Sequence, residues 1–184
     1  MNKVAIIGMG ASRSEAPFDD DSWTFWGLNN LYQYSDKYNY SAWFEIHKFS
    51  MDIDSKRILR KGCDKWRGLA IEQYLMDLQS LNIPVYMQEE CQLISNAVVY
   101  PKNRVIIKFG RYFTSTHAWM LALAISMEFD TIGLYGVDMI DPEHIDKRPC
   151  FEYLLGIAKG SGIEVVIAKS SPMLKCSELY GFES

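Results

Sequence analysis

A loop that could bind phosphate follows the first apolar run of the chain. In "VAIIGMGASRSEAP", residues 4 to 17, Gly8 and Gly10 stand two apart and Ser12 comes after them. Glycines let backbone N–H groups approach a phosphate, and a serine hydroxyl near the start of a helix is a further donor. This spacing predicts a loop that holds the phosphate-bearing part of a nucleotide.

The same loop lacks the features of a dinucleotide site. The fingerprint G-x-G-x-x-G requires a third glycine where this chain has Arg13, and Pro17 shortens the helix that follows. About twenty residues on, where an acid would bind ribose, the chain reads "GLNNLY". Asn29 and Asn30 offer donors and acceptors to a base edge or a ribose, so they favour a nucleotide other than NAD. They could instead cap a helix over 31–36.

Further candidate groups stand at the ends of later apolar runs. Gly136 and Asp138 end the strand-like "TIGLYGV", and Asp138 could bind a ligand or close a turn. Thr114 or Ser115 can cap an apolar helix that is predicted to be buried, and the N-terminus of that helix, with Ser115, could meet phosphate. His144 lies in the loop "DMIDPEHIDK" and could accept a proton, or it is an exposed loop histidine. His117, inside the apolar helix, is predicted to be a core histidine.

A second set of residues could bind an acceptor substrate. Glu45 and His47 share one face at a strand end, as a base with its orienting carboxylate or as an edge salt bridge. "KNRVIIK" is predicted as a strand with Arg104 and Lys108 on one face. With the basic run "SKRILRKGCDKWRG" they could bind an anionic acceptor, including a nucleic acid with a modified base.

Composition bounds the class of protein. The net charge is -4, but residues 56–111 hold ten Lys or Arg against five acids, which could mark a face for an anionic partner or a mixed solvated surface. No apolar run could span a membrane and no signal peptide is recognisable, so the sequence predicts a cytoplasmic protein. Four scattered cysteines and three histidines show no metal-ligand spacing, and no metal site is predicted.

Apolar strands alternate with helical patterns along the chain. This alternation predicts an α/β fold over 1–184: a single-domain open, mostly parallel Rossmann-like sheet with helices on both faces. In such sheets ligands bind at the carboxyl ends of the strands, where the groups above are found. Strands are predicted over 3–8, 23–28, 40–46, 83–87, 104–109, 131–137 and 163–168. Helices are predicted over 65–81, 114–129, 148–160 and 171–182.

Several segments resemble one family in the same order. "GMGAS" and "LNNLY" are similar to the G-N-G-P-S and C-N-Q-F-Y segments of bacterial sialyltransferases that use CMP-sialic acid, and to the related MptE-type pterin diphosphokinase-like group. "STHAWMLALAISMEFDTIGLYGVDM" and "IEVVIAKSSPML" resemble later blocks of that family. The chain thus resembles a small member of this group, of the kind found as phage or bacterial accessory proteins.

The resemblance implies roles for particular residues. Gly8, Gly10, Ser12 and the two asparagines would bind the nucleotide, and Asp138 would lie near its sugar or phosphates. His144 precedes a helix as the family's catalytic base does. The family's phosphate-binding tyrosines have no counterpart in "MIDPEHIDK".

Three functions remain open from the sequence. The first is a glycosyltransferase with a CMP- or UDP-linked nucleotide sugar as substrate, with no obligatory metal or cofactor because no D-x-D motif is present. The second is a non-catalytic nucleotide-binding or sequestering protein. The third is a diphosphokinase-like transferase, which would need Mg²⁺ and carboxylates such as Asp138 and Asp141.

Overall fold

The computed structural model describes residues 1–34, 39–51, 54, 58–60, 63–66, 68–142, 144–176 and 178–181. Its strands are β1 Lys3–Ile7, β2 Trp23–Leu28, β3 Tyr40–Glu45, β4 Phe49–Met51, β5 Ile58–Arg60, β6 Lys65–Trp66, β7 Leu69–Ala70, β8 Val85–Met87, β9 Ala97–Val99, β10 Thr131–Tyr135 and β11 Glu164–Ile167. Its α-helices are α1 Ile71–Ser80, α2 Lys102–Phe109, α3 Thr116–Ser126 and α4 Arg148–Gly160. Short 3₁₀ turns cover Ala11–Glu15, Leu31–Gln33 and Ile145–Lys147.

The central sheet has seven parallel strands in the order β11-β10-β1-β2-β3-β8-β9. From β1 the chain moves outward to β9 and then returns to place β10 against β1. The strand order therefore reverses between β1 and β10, which is where open sheets bind ligands. The predicted α/β fold with an open parallel sheet is confirmed. That residues 1–184 form one domain stays a prediction.

The central strands are apolar because parallel strands are covered on both faces. In β1, residues 4–7 are fully buried, and every residue of β10 is buried. Gly27 lies under the indole of Trp43, where a Cβ atom would come within 2.2 Å of the ring. The tight core fixes the strand ends, and with them the loops that carry the candidate groups. Within the described ranges, no helix has the length and apolar character to cross a membrane.

The predicted strand over 104–109 is wrong, because Lys102–Phe109 forms α2. Val105 and Phe109, four residues apart, are buried, and this helix contacts α3. The β-branched run "VII" favours a strand locally, but the spacing of the two buried side chains fits one face of a helix. Arg104 and Lys108 still share a face, which is the exposed face of α2.

Two predicted helices also differ from the structure, one in where it begins and one in whether it forms. The helix predicted over 65–81 begins only at Ile71, since β6 and β7 pair with each other before it. The helix predicted over 171–182 is absent from the described part of that segment, which forms turns and extended backbone. Leu174 has a φ of 53°, and a left-handed residue cannot continue a right-handed helix.

Helix α3 is buried along most of its length, as predicted, and its N-terminus is capped by Ser115. The Oγ atom of Ser115 accepts a hydrogen bond from the backbone N–H of Ala118 at 3.2 Å. The cap satisfies one of the N–H groups that have no partner within a helix.

We expect Ser115→Ala to lower the free energy of unfolding by about 0.5–2 kcal/mol, because the Ala118 N–H loses its acceptor. Ser115→Asp keeps an N-cap acceptor and is expected to stay close to the wild-type value. Urea unfolding monitored by circular dichroism measures both variants. Equal losses in the two variants would contradict the capping role.

Candidate functional site

A cleft of about 540 Å³ opens where β1, β2 and β10 end and α3 begins. The structure brings most of the predicted site residues to this cleft. Those that line it are Gly10, Asn29, Asn30, His47, Ser115, Gly136, Asp138 and His144. Glu45 lies directly behind His47 and is fully buried. The strand ends at which the sequence predicts a ligand therefore border one cleft, and the binding of a ligand there stays a prediction.

The glycines allow two loops to touch each other. A Cβ atom at Gly8 would lie 2.2 Å from the carbonyl oxygen of Gly136, and one at Gly10 would lie 2.3 Å from Oδ2 of Asp138. Gly136 itself has a φ of 71°, in the region that favours glycine. These residues therefore pack the loop after β1 against the loop after β10. A larger residue at Gly10 would displace Asp138 as well as block a ligand.

Ser12 ties the same two loops together. Its Oγ atom donates to Oδ1 of Asp138 at 2.5 Å and accepts from the N–H of Gly136 at 2.8 Å. Its own N–H donates to Oδ2 of Asp138 at 3.2 Å. Ser12 is only 2% exposed, so its hydroxyl bonds to the two loops and is not presented to a ligand. The prediction that this hydroxyl donates to phosphate is therefore wrong. Asp138 is fixed by these bonds and lines the cleft.

The amide oxygens of the two asparagines have no hydrogen-bond partner among the residues that the structure describes. Asn29 has a φ of 48°, a conformation that asparagine tolerates, and its backbone bonds to Phe44 and to the indole of Trp43. The side-chain Nδ2 of Asn30 donates to Gln33 at 3.1 Å. Asn30 precedes a 3₁₀ turn, but its side chain makes no cap hydrogen bond within the described residues, and positions 35 and 36 of the alternative helix lie outside them.

Buried polar atoms without a partner concentrate at this cleft. Among the described residues, six buried side-chain N or O atoms lack a hydrogen bond, and four of them belong to residues that line the cleft. Those four are Asn29 Oδ1, Asn30 Oδ1, Arg60 Nε and His117 Nε2. Such atoms are costly in a folded protein unless something satisfies them. A polar ligand in the cleft can supply the missing partners.

His117 differs from the predicted core histidine with satisfied hydrogen bonds. It lies in the first turn of α3 and lines the cleft, and its buried Nε2 atom has no partner among the described residues. Burial lowers the pKa of His117 from 6.5 to about 4, and the charges of His144 and Lys147 add to this effect. His117 is therefore neutral near pH 7.

We expect the free energy of unfolding to fall as the pH drops from 6.5 to 4. In this range His117 becomes protonated in the unfolded chain but stays neutral in the folded protein, because its pKa there is about 4. The contribution present above pH 6.5 is about 3 kcal/mol, and it is lost across this window. Urea unfolding at pH 7 and pH 4 measures it, with His117→Gln as the reference protein. An identical pH dependence in both proteins would remove His117 as the cause.

His144 forms a pair with a carboxylate at the edge of the cleft. Its Nδ1 atom lies 2.7 Å from Oδ1 of Asp141, and its side chain is about one third exposed. When Nδ1–H donates to Asp141, Nε2 carries the lone pair and can accept a proton. The arrangement suits a general base.

A second histidine–carboxylate pair lies across the cleft. Glu45 accepts a hydrogen bond from the N–H of His47 at 3.0 Å and contacts Nδ1 of His47 and the hydroxyl of Tyr74. Burial raises the pKa of Glu45, but the hydrogen bonds from His47 and Tyr74 and the charges of His47 and Arg60 outweigh it and lower the pKa overall. The guanidinium of Arg60 stacks on the indole of Trp66 at 3.9 Å.

Arg60 and Trp66 were not predicted as site residues. Trp66 fits the apolar stripe of the predicted helix, and Arg60 is one of several basic residues in the run 55–68. No signal in the sequence separates either residue from its neighbours. The other Lys and Arg residues of that run, except Lys65, lie outside the described residues.

Arg104 and Lys108 lie away from the cleft. The Nη2 atom of Arg104 reaches the carbonyl of Ser126 at 3.5 Å, and Lys108 lines a different depression beside Thr131 and Glu164. Those two residues begin β10 and β11, so this depression is at the opposite edge of the sheet. The predicted acceptor set is therefore divided, and only Glu45 and His47 belong to the cleft region.

No described residues form a group of three or more His, Cys, Asp or Glu that could hold a metal ion. The sequence-based expectation that no metal is required stays a prediction.

Solved structures share this fold. The sialyltransferase CstII from Campylobacter jejuni, in complex with the substrate analogue CMP-3FNeuAc, is similar with a TM-score of 0.57 and 17% identity over 94% of this chain and 81% of that chain. The monofunctional alpha-2,3-sialyltransferase Cst-I from the same organism has a TM-score of 0.54 and 16% identity over 93% and 77%. At this identity the likeness concerns the fold.

No protein-family model and no curated protein sequence matches this chain. The solved structures support the resemblance to sialyltransferases at the level of the fold. Its pterin diphosphokinase and phage aspects stay predictions.

Proposed function

We propose that this protein is a glycosyltransferase that uses a nucleotide sugar as its donor. The observation that carries the proposal is a set of four buried polar atoms that find no partner in the described part of the chain, at a cleft on the switch point of a parallel sheet. The shared fold adds support, because CstII has been solved with CMP and with the analogue CMP-3FNeuAc. A CMP-linked sugar is therefore the first donor to test, and UDP-linked sugars come next.

The nucleotide is held by groups at three strand ends. The amide oxygens of Asn29 and Asn30 accept hydrogen bonds from ribose hydroxyls or from an exocyclic amino group of the base. Gly10 and Asp138, packed against each other at the ends of β1 and β10, line the cleft beside the ligand. The N-terminus of α3, at Ser115, directs backbone N–H groups and a partial positive charge toward the cleft and favours the phosphate.

The transfer step is a displacement at the anomeric carbon of the donor sugar. An acceptor hydroxyl oxygen forms the new bond to that carbon, while the bond from the carbon to the phosphate oxygen breaks and the nucleotide leaves with the electron pair. The hydroxyl proton passes to Nε2 of His144, whose Nδ1 is held by Asp141. The acceptor is left open, and an anionic acceptor such as a nucleic acid stays a sequence-based prediction.

Calorimetry with cytidine, CMP, UMP and nucleotide sugars tests the binding step. Asn30→Leu removes the unpartnered oxygen and is expected to weaken nucleotide binding by roughly ten-fold or more. The control is Asn103→Leu, which alters an exposed asparagine on α2. If no nucleotide binds, or if both variants bind as the wild type does, the assignment of the cleft is wrong.

Release of the nucleotide from a donor in the presence of candidate acceptors tests the reaction. A transferred sugar, detected by mass spectrometry, supports the proposal. Tight nucleotide binding without product from any donor would instead support the non-catalytic nucleotide binder.

A further inference from the structure

The β3 side of the cleft carries two cationic or potentially cationic groups that the proposed reaction does not use. His47 follows β3 and Arg60 ends β5, and both line the cleft. Arg60 is only 7% exposed, so its guanidinium is held in place and largely desolvated. A buried arginine that faces a ligand cleft requires an explanation beyond a solvated surface charge.

The hydrogen bonds around His47 cannot all be satisfied at once. Its Nδ1 atom contacts Oε1 of Glu45 and also lies 2.7 Å from Nη2 of Arg60. A ring nitrogen can donate one hydrogen or accept one, but it cannot do both. When Nδ1–H donates to Glu45, Nη2 of Arg60 has no acceptor at that position.

The neighbouring nitrogen of Arg60 is in the same situation. Nε is buried, has no hydrogen-bond partner among the described residues and lies 4.0 Å from Oε1 of Glu45, beyond hydrogen-bond distance. Nε and Nη2 form one edge of the guanidinium, which is the edge that binds a carboxylate or phosphate through two parallel hydrogen bonds.

The rest of the surroundings keeps this edge in position. Trp66 stacks on the guanidinium at 3.9 Å, and the backbone of Arg60 exchanges two hydrogen bonds with Cys63. Glu45 is fixed by the N–H of His47 and by Tyr74. An arginine side chain that is already held in place loses little conformational entropy when it binds an anion. This arrangement favours a role for Arg60 in binding a ligand over a role in a structural ion pair alone.

We propose that Arg60 and His47 form an anion-binding subsite on the β3 side of the cleft. Its ligand is a carboxylate or phosphate group of the substrate, whose oxygens accept two hydrogen bonds from the Nε–Nη2 edge of the guanidinium when Nδ1–H of His47 donates to Glu45. The inference rests on the proposed function in taking the cleft as the substrate site. The two sources of the anion, the nucleotide phosphate and a sugar carboxylate, are separated by the probes.

The test uses the whole chain and four probes in calorimetry: inorganic phosphate, free sialic acid as a carboxylate, CMP, and cytidine as a ligand without an anion. Arg60→Lys keeps the charge but loses the two-nitrogen edge. The double variant Glu45→Gln/Arg60→Gln removes both charges and leaves no buried charge unpaired. It replaces Arg60→Lys in the test if that single variant fails to fold. Lys65→Gln is the matched control, since Lys65 is an exposed cation on β6.

We expect both Arg60 variants to lose at least ten-fold in affinity for phosphate or for sialic acid, and the sensitive probe identifies the anion. Cytidine binding should stay within two-fold, and Lys65→Gln should resemble the wild type. In the wild type, the same probe should shift the Nε–H nuclear magnetic resonance signal of Arg60.

Unchanged affinity for every anionic probe in folded variants, or no binding of any anionic probe to the wild type, would overturn the subsite. Failure of the proposed function looks different. In that case cytidine and CMP would not bind through the asparagines, while phosphate or sialic acid would still bind in an Arg60-dependent way.

Discussion

Replacing His144 with alanine is expected to lower turnover by roughly two to four orders of magnitude and to leave nucleotide affinity nearly unchanged. The reason is geometric, because Asp141 holds Nδ1 and leaves Nε2 as the proton acceptor at the edge of the cleft. Steady-state kinetics with the donor identified by the binding screen gives kcat, and calorimetry gives the Kd of the nucleotide.

Asp141→Asn is the companion variant for this test. It keeps a side chain of the same shape next to His144 but weakens the preference for the reactive tautomer, so an intermediate loss of kcat is expected. A wild-type kcat in His144→Ala would show that His144 is not the proton acceptor. The role would then pass to His47, which Glu45 orients across the cleft, or the catalytic step would be dropped from the proposal.

Glu45→Ala is expected to lower the free energy of unfolding by about 3–5 kcal/mol, the usual cost of breaking a buried ion pair from one side. The substitution leaves Arg60 buried without its carboxylate and removes the acceptor of Tyr74. Urea unfolding at pH 7 measures the loss. Because the pKa of Glu45 is lowered in the folded protein, its contribution is present above about pH 4.5 and disappears as the pH falls further.

Two comparisons isolate the cause. Glu152→Ala removes a more exposed carboxylate that pairs with Arg148 at 2.9 Å, and its expected cost is at most about 1 kcal/mol. Glu45→Ala combined with Arg60→Met removes both charges and is expected to cost less than Glu45→Ala alone. If the double variant is as unstable as the single one, the loss comes from packing and not from the unpaired charge.

The parallel sheet could be predicted because its strands are continuous apolar runs, which is what burial on both faces requires. The same reasoning placed Gly10, Asn29 and Asp138 at one cleft, since parallel strands present their carboxyl ends at one edge. Thr114 and Ser115 were both candidates for the N-cap of α3 by residue type, and the hydrogen bond to Ala118 identifies Ser115.

The errors occurred where tertiary contacts decide the outcome. "RVIIKF" has the composition of a strand, and only packing of Val105 and Phe109 beside α3 makes it a helix. His117 lies in an apolar stretch, so its position at the cleft depends on where α3 starts relative to the loops. Ser12 has the residue type of a phosphate donor, but its neighbour in space, Asp138, is 126 positions away in the chain.

Arg60 and Trp66 come from a segment that does not join the central sheet. In the described part of this segment, β4 pairs with β5 and β6 pairs with β7, and these strands lie between β3 and α1 along the chain. Because the sheet does not depend on these pairings, this segment can vary while the scaffold is kept, provided that the buried Glu45 of β3 keeps a partner in place of Arg60. It is therefore the natural place for substrate preference to diverge among related proteins, and the first region to randomise in directed evolution of a new donor or acceptor.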